Sequence, residues 1–196
     1  MRKKQSTIFN KRNMIGLFII LIMTMSVLGI YVGSGSDTSD KYNGFKFVQA
    51  KNGFLTEIND KQIIFYNHPS SLEYIFFDNV SKDILKNAKM LTITFDPADP
   101  AIQEIELTRL ELTTQLQQFA NIYIITGISN QTAPYAQFPL ITCANATAYQ
   151  PVIYFKTGET TAITAEGSCI TAAANYIGAI LTLKDRIAYQ ILGIMN

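Results

Sequence analysis

A chain of 196 residues, of which 48% are hydrophobic and 16% charged, is long enough for one folded domain with short additions. Its 16 lysines and arginines nearly balance its 15 aspartates and glutamates, but five of the basic residues lie within residues 1–13, so residues 37–196 carry a net charge of −4. An acidic domain with no basic cluster binds nucleic acid and anionic bilayer surfaces poorly, and we expect neither as a partner.

An apolar run at residues 14–32 predicts a membrane anchor, because none of its nineteen residues is charged. As a helix it would be about 28 Å long, close to the roughly 30 Å hydrocarbon core of a bilayer. Basic residues precede the run, and Asp37 and Asp40 follow it, a bias that keeps residues 1–13 in the cytoplasm. We therefore expect a single-pass plasma-membrane protein that contacts the lipid bilayer through residues 14–32, with its C-terminal domain outside. A cleaved signal peptide is the alternative, since small residues that suit cleavage follow the run at 32–36.

The stretch GSGSDTSD, residues 33–40, predicts a flexible polar linker with a reach of about 15 Å. Such a linker would hold an extracytoplasmic globular domain, residues 41–196, close to the membrane.

The start of this domain, residues 44–67, predicts a β-meander. Three strand-like segments, FKFVQA, FLTEI and KQIIFY, are separated by the turn signals Asn52-Gly53 and Asn59-Asp60. A helical turn over SKDILKNA and a strand over MLTITF are expected next.

Residues 96–119 favour a helix, with Asp99 as its N-cap and Pro100 at its first position. The segments EIEL and RLELT also alternate with period two, so strands remain an alternative there. Because the strand NIYIITGI follows, a helix would make a right-handed crossover between parallel strands.

The remaining sequence predicts more strands and a final helix. PLITC, PVIYF and TAITAEGSCITA are β-rich, and Lys156-Thr157-Gly158 predicts a hairpin between the last two. A helical stripe runs through 175–195, and three consecutive charged residues form its polar break, namely Lys184, Asp185 and Arg186. The predicted fold is an α/β or α+β ectodomain, a mixed β-sheet with a central helix and a C-terminal helix, preceded by one N-terminal transmembrane helix.

Several segments together resemble an uncharacterised family of archaeal membrane-anchored surface proteins with a single N-terminal span. The resemblance lies in the basic N-terminus, the span and the linker, and in the segments YNGFKF, TITFDPADPAIQEIEL, LITCANAT, PVIYF, EGSCI and DRIAYQILGIM. It implies a place at the cell surface. It implies no activity and no catalytic residues.

The two cysteines, Cys143 and Cys169, are 26 positions apart, which excludes a C-x-x-C redox motif and a cysteine-based zinc knuckle. Outside the cytosol such a pair tends to oxidise, so we favour a structural disulfide over two buried free thiols or a functional redox pair. The bond would stabilise the fold by roughly 3–4 kcal/mol in the chain-entropy model. His68, the single histidine, is expected to cap a strand end or to be exposed.

Other candidate sites are few, and we assign no catalytic, cofactor-binding or metal-binding residue. An acidic cluster favours a capped helix with solvated acids over a carboxylate site, and its members are Asp96, Asp99, Glu104, Glu106 and Glu111. Possible glycosylation sites are Asn79, Asn130 and Asn145, of which Asn130 lies in the expected loop.

These observations favour a membrane-anchored, non-enzymatic cell-envelope or accessory interaction protein, with a possible protein partner in the envelope and no cofactor. The alternative is an anchored envelope hydrolase that uses the carboxylates near Asp96 and Asp99. A pilin-like filament subunit is disfavoured by the polar break at 33–40.

Overall fold

A computed structural model describes residues 15, 16, 18–24 and 39–195. The chain divides into two compact units, residues 1–38 and residues 39–196. In the first unit the described residues are helical and exposed. Within the described ranges, no helix has both the length and the apolar character needed to span a bilayer. The rest of the predicted anchor, the predicted cytoplasmic segment 1–13 and the predicted linker up to Thr38 lie outside the described residues.

The second unit begins with the predicted β-meander, a four-stranded antiparallel sheet in the order β1-β2-β3-β4. Its strands are β1 (Ser39–Tyr42), β2 (Phe45–Ala50), β3 (Gly53–Ile58) and β4 (Lys61–Phe65). The predicted turn at Asn59 and Asp60 is confirmed, and both residues have a left-handed φ. The sequence placed Ser39 and Asp40 in the linker, but they pair with β2 and extend the sheet.

The turn between β2 and β3 is shifted by one residue from its predicted position, to Lys51-Asn52, and Gly53 is the first residue of β3. Gly53 has a φ of 145°, and a Cβ there would collide with the carbonyl of Phe65 in β4. Glycine is therefore required for the close approach of two strands as well as for its backbone conformation.

A six-stranded mixed sheet forms the larger layer, in the order β5-β9-β10-β8-β6-β7. Its strands are β5 (Phe76–Phe77), β6 (Met90–Phe95), β7 (Tyr123–Thr126), β8 (Val152–Thr157), β9 (Ala162–Glu166) and β10 (Cys169–Ala174). The predicted parallel pairing across the crossover is confirmed, since β6 and β7 are parallel.

The predicted hairpin at Lys156-Thr157-Gly158 is wrong, because β10 lies between β8 and β9. β10 pairs in parallel with β8, and the tight hairpin is instead formed by β9 and β10 around Gly167-Ser168. The small side chains of β10, alternating buried on one face, suit an inner strand beneath a helix.

The helices are α1 (Asn79–Asn87), α2 (Ile102–Gln115) and α3 (Ala179–Ile191), and a π-helical turn, Leu116–Ala120, continues α2. The preferred helix at 96–119 is thus confirmed, although it begins at Ile102 and its N-cap is Ala101 rather than Asp99. α1 begins after Asp78, whose carboxylate accepts the N–H of Ser81.

The final helix, α3, lies between the two sheets. It contacts β10 and β8 on one side, and Tyr189 contacts the rings of Phe47 and Phe65 of the meander on the other. The charged residues predicted as the polar break of this helix are buried, because α2, the residues after β4 and the strand β5 all contribute contacts to them. They are Lys184, Asp185 and Arg186.

Candidate functional site

A groove of about 500 Å³ lies between β4 and α2, and we call it the β4–α2 groove. Apolar side chains form much of its wall: Ile64 is 44% exposed and Leu110 is 57% exposed. Leu107, one helical turn before Leu110 on α2, is also exposed. The lining residues are Asn52, Ile64, Phe65, Tyr66, Leu110, Glu111, Thr114 and Gln115.

A network of polar side chains joins α2, α3 and the end of β4, and two of its members, Tyr66 and Glu111, also line the groove. Tyr66 donates its hydroxyl hydrogen to Glu111 Oε1 at 2.5 Å, and Lys184 Nζ donates to Glu111 Oε2 at 2.8 Å. Lys184 Nζ also lies 3.0 Å from Asp185 Oδ1 as an ion pair. The other oxygen of Asp185 accepts two hydrogen bonds from Asn67, each 2.9 Å long. The network fixes the helical layer to the meander.

The charges of this network are unequal. Glu111 and Asp185 each accept hydrogen bonds or pair with the ammonium group of Lys184, so two carboxylates share one buried cation. Of the two carboxylates, Glu111, whose side chain is 27% exposed, is the one that lines the groove, whereas Asp185 is fully buried. The groove therefore joins an apolar wall to an acidic group.

Burial and hydrogen bonding set the protonation of two members. The hydrogen bond to Glu111, assisted by burial, raises the pKa of Tyr66 to about 12. Burial raises the pKa of the Asp185 carboxyl, against the opposing effects of Lys184 and Asn67. A tyrosine in this state holds its proton at neutral pH.

This arrangement is better suited to binding than to catalysis. A general acid or base works best with a pKa near the operating pH, and the pKa of Tyr66 is moved further from it. A nucleophilic lysine must reach its substrate, whereas Lys184 is fully buried and its Nζ lies 2.8 and 3.0 Å from two carboxylates. The network gives the groove a rigid wall with fixed charges.

The two cysteines form the predicted disulfide bond. The Cys143 and Cys169 sulfur atoms are bonded and their Cα atoms are 5.2 Å apart, which confirms the predicted disulfide. Cys143 begins a short 3₁₀ turn, Cys143–Asn145, rather than ending a strand, and Cys169 begins β10. The bond therefore ties the long β7–β8 connection to the central part of the sheet.

The carboxylates of the alternative hydrolase serve local structure. Asp99 accepts the N–H of Ala101 with one oxygen and the N–H of Thr157 with the other, each within 2.9 Å. Asp96 accepts the N–H of Ala98. Asp99 thus joins the start of α2 to the end of β8, and both of its oxygens are already used. Across the described ranges, no three His, Cys, Asp or Glu residues are close enough together to hold a metal ion.

His68 lies in an aromatic setting at the end of β4. Its Nδ1 is 2.8 Å from Ser70 Oγ, and its ring meets those of Phe47 and Phe54 edge to face. Its Nε2 lies 3.8 Å from Asp40 Oδ2. The predicted capping role agrees with the 3₁₀ turn Pro69–Leu72, where Nδ1 accepts the N–H of Ser70.

The three sequon asparagines are all exposed, but they differ in their contacts. Asn145 accepts the N–H of Thr142 through its side-chain oxygen, which forms half of a capping box. Asn79 is the first residue of α1, and the hydroxyl of its sequon Ser81 is buried against Asp78. Asn130 lies in the loop after β7. Glycosylation at these sites stays a prediction.

The sequence assigned Glu111 to a cluster of solvated acids and Lys184 to the polar break of the last helix, but it brought neither residue together with Tyr66, which it did not single out. One signal for Lys184 was available: three consecutive charges interrupt a helix whose other residues are largely apolar, AILTLKDRIAYQI. Charges in such a segment are buried in pairs when a second layer covers the helix. The partner Glu111 lies 73 positions away and carries no such local signal.

A search of protein-family models, of curated proteins and of solved structures finds no match to this chain.

Proposed function

We propose that this chain is a membrane-anchored, non-enzymatic interaction protein of the cell envelope, which holds a protein partner in the β4–α2 groove. The observation that carries the proposal is the groove itself, where the apolar side chains Ile64 and Leu110 are exposed beside the carboxylate of Glu111. An exposed apolar surface bordered by polar groups is typical of a protein–protein contact site.

The proposed anchor rests on the sequence of residues 14–32. This segment is uncharged, follows a basic N-terminus and precedes acidic residues, which supports a single span with the folded domain outside. Extraction of native membranes with alkaline carbonate tests it: the chain should stay in the membrane pellet, and protease added outside should remove the domain. Release into the supernatant would contradict the anchor.

The mechanism proposed for the domain is binding by a preformed surface. The ion pairs and hydrogen bonds of Glu111, Lys184 and Asp185 hold α2 against α3 and keep the wall of the groove in place before a partner arrives. A preorganised wall loses little conformational entropy on binding, which favours affinity. The groove is then the contact that determines which protein is recruited to the membrane.

Site-specific photocrosslinking in native membranes tests this binding role. A photoreactive residue at position 110 should crosslink to one discrete protein, and the adduct should disappear when Ile64→Asp places a charge on the apolar wall. Tyr149, which is 93% exposed and does not line the groove, provides the matched control position. Equal crosslinking from positions 110 and 149 would contradict the proposal.

A further inference from the structure

We propose that the partner of the β4–α2 groove is an extended peptide segment that adds to β4 as a fifth strand of the meander; this inference rests on the proposed function of the groove. Addition of a strand to an open sheet edge is a general mode of peptide recognition, in which the backbone provides affinity and alternate side chains provide specificity.

β4 is an edge strand, and the backbone of Ile64 points away from β3. The carbonyl of Ile64 accepts a hydrogen bond from Gln115 Nε2, at 3.3 Å, on the side of α2. The carbonyl of the next residue, Phe65, points towards Gly53 of β3. Because these directions alternate along an antiparallel strand, Gln62 and Ile64 direct their N–H and C=O groups outwards.

The side-chain amide of Gln115 bonds to the Ile64 carbonyl in the place where an added strand would put a peptide group. Its amide has the donor and the acceptor of a peptide bond, and its donor is used by the carbonyl of Ile64. Its acceptor, Oε1, is buried and has no hydrogen-bond partner in the described part of the chain. An added strand would donate a backbone N–H to the carbonyl of Ile64. The Gln115 amide could then leave a position in which its oxygen accepts no hydrogen bond.

The exposed face of α2 provides a floor for such a strand. Leu110 lines the groove, and Leu107, one helical turn before it on α2, is also exposed. A fifth strand would extend the meander over α2 and cover these leucines with every second side chain.

The charge of the groove determines which charged residue the bound peptide segment should carry. Glu111 is the carboxylate of the buried network that lines the groove, and its side chain is 27% exposed. A lysine or arginine in the added strand would pair with Glu111, whereas an acidic residue at that place would be repelled. The expected ligand is an extended segment with alternating apolar residues and one basic residue.

Two substitutions at one position separate strand addition from other modes of binding. Ile64→Pro removes the outward N–H and leaves the inward-facing residues Ile63 and Phe65 to pair with β3. Ile64→Val keeps the N–H and the apolar surface. With the photoreactive residue at 110 in native membranes, Ile64→Pro should lower the crosslink yield at least about fivefold, the equivalent of one net hydrogen bond, and Ile64→Val should leave it unchanged.

A third variant gives a result of opposite sign and does not depend on the tolerance of β4 for proline. Gln115→Ala removes the side chain that competes for the Ile64 carbonyl, so the yield should rise. A yield that is insensitive to both Ile64→Pro and Gln115→Ala, with a normal crosslink in the parent, would overturn strand addition while the groove keeps its proposed binding role. The loss of the parent crosslink itself would refute the proposed function.

The chemistry of the segment is tested with a displayed library of random linear peptides and the purified full-length chain in detergent micelles. Enriched peptides should alternate apolar residues, carry a lysine or arginine, and lose binding to the Glu111→Gln variant. Enrichment of helical or acidic peptides, or no enrichment over the Ile64→Pro variant, would contradict the inference.

Discussion

Replacement of Lys184 by methionine tests the buried network most severely. Lys184 is fully buried, and its ammonium group lies 2.8 Å from Glu111 and 3.0 Å from Asp185. Methionine keeps much of the volume but leaves the buried carboxylate of Asp185 with hydrogen bonds from Asn67 alone. Removal of one partner of a buried ion pair costs about 3–5 kcal/mol, a large part of the roughly 5–15 kcal/mol that stabilises a typical domain.

The assay is urea unfolding of the full-length chain in detergent micelles, followed by circular dichroism. The Lys184→Met variant should lose about 3–5 kcal/mol of unfolding free energy. The double variant Lys184→Met/Asp185→Asn should recover part of that loss, because the uncompensated charge is removed together with its partner. A loss below about 1 kcal/mol, or a double variant whose loss equals the sum of the two single losses, would refute a coupled buried pair.

The same network predicts a pH dependence with a definite sign. Burial raises the pKa of Asp185 in the folded state above its ordinary value of 3.8, so the folded protein binds this proton more tightly than the unfolded chain. The stability that Asp185 contributes is complete below its unfolded pKa and is lost as the pH rises through its raised folded pKa. The difference in unfolding free energy between the parent and Asp185→Asn should therefore fall as the pH rises through this window. A difference that rises instead would contradict the assignment.

Three further outcomes are expected from single features of the domain. The pKa of Tyr66 is raised to about 12, so the stability that its protonated hydroxyl contributes should be lost between pH 10 and 12. Urea unfolding of Tyr66→Phe should not show this loss, and equal losses in both proteins would contradict the assignment. Reduction of Cys143–Cys169, which closes a loop of 26 positions, should lower the unfolding free energy by about 3–4 kcal/mol, and a change below about 1 kcal/mol would argue against the bond as a restraint on the unfolded chain. Gly53→Ala should cost about 2 kcal/mol in thermal unfolding, because a Cβ meets the Phe65 carbonyl, whereas Gly44→Ala, with open space around its Cβ, should cost less.

The features that the sequence predicted correctly are local. The turn at Asn59-Asp60 and the parallel pairing of β6 with β7 across α2 depend on turn residues and on a strand–helix–strand pattern in neighbouring segments. The disulfide followed from the presence of only two cysteines. Each of these features can be recognised in a short segment of the chain.

The features that the sequence did not predict depend on tertiary packing. The position of β10 between β8 and β9 is a matter of strand order, which a hairpin signal at Lys156-Thr157-Gly158 does not report. Helical periodicity marked Lys184, Asp185 and Arg186 as a polar break, and only the packing of distant segments against α3 buries these charges. The groove itself is formed by residues far apart in the chain, since Tyr66 and Glu111 are separated by 45 positions.

Hydrogen–deuterium exchange of β4 tests directly whether the groove is occupied by a partner in native membranes and empty after purification. The full-length chain is labelled in native membranes and, in parallel, after purification in detergent, and the peptides that cover Lys61–Phe65 and Leu107–Leu110 are analysed by mass spectrometry. An occupied groove predicts slower exchange of both peptides in native membranes, with no change in peptides from β1, at the opposite edge of the meander. Equal exchange of the β4 peptide in the two preparations would contradict the account of this domain as a module that binds a partner strand.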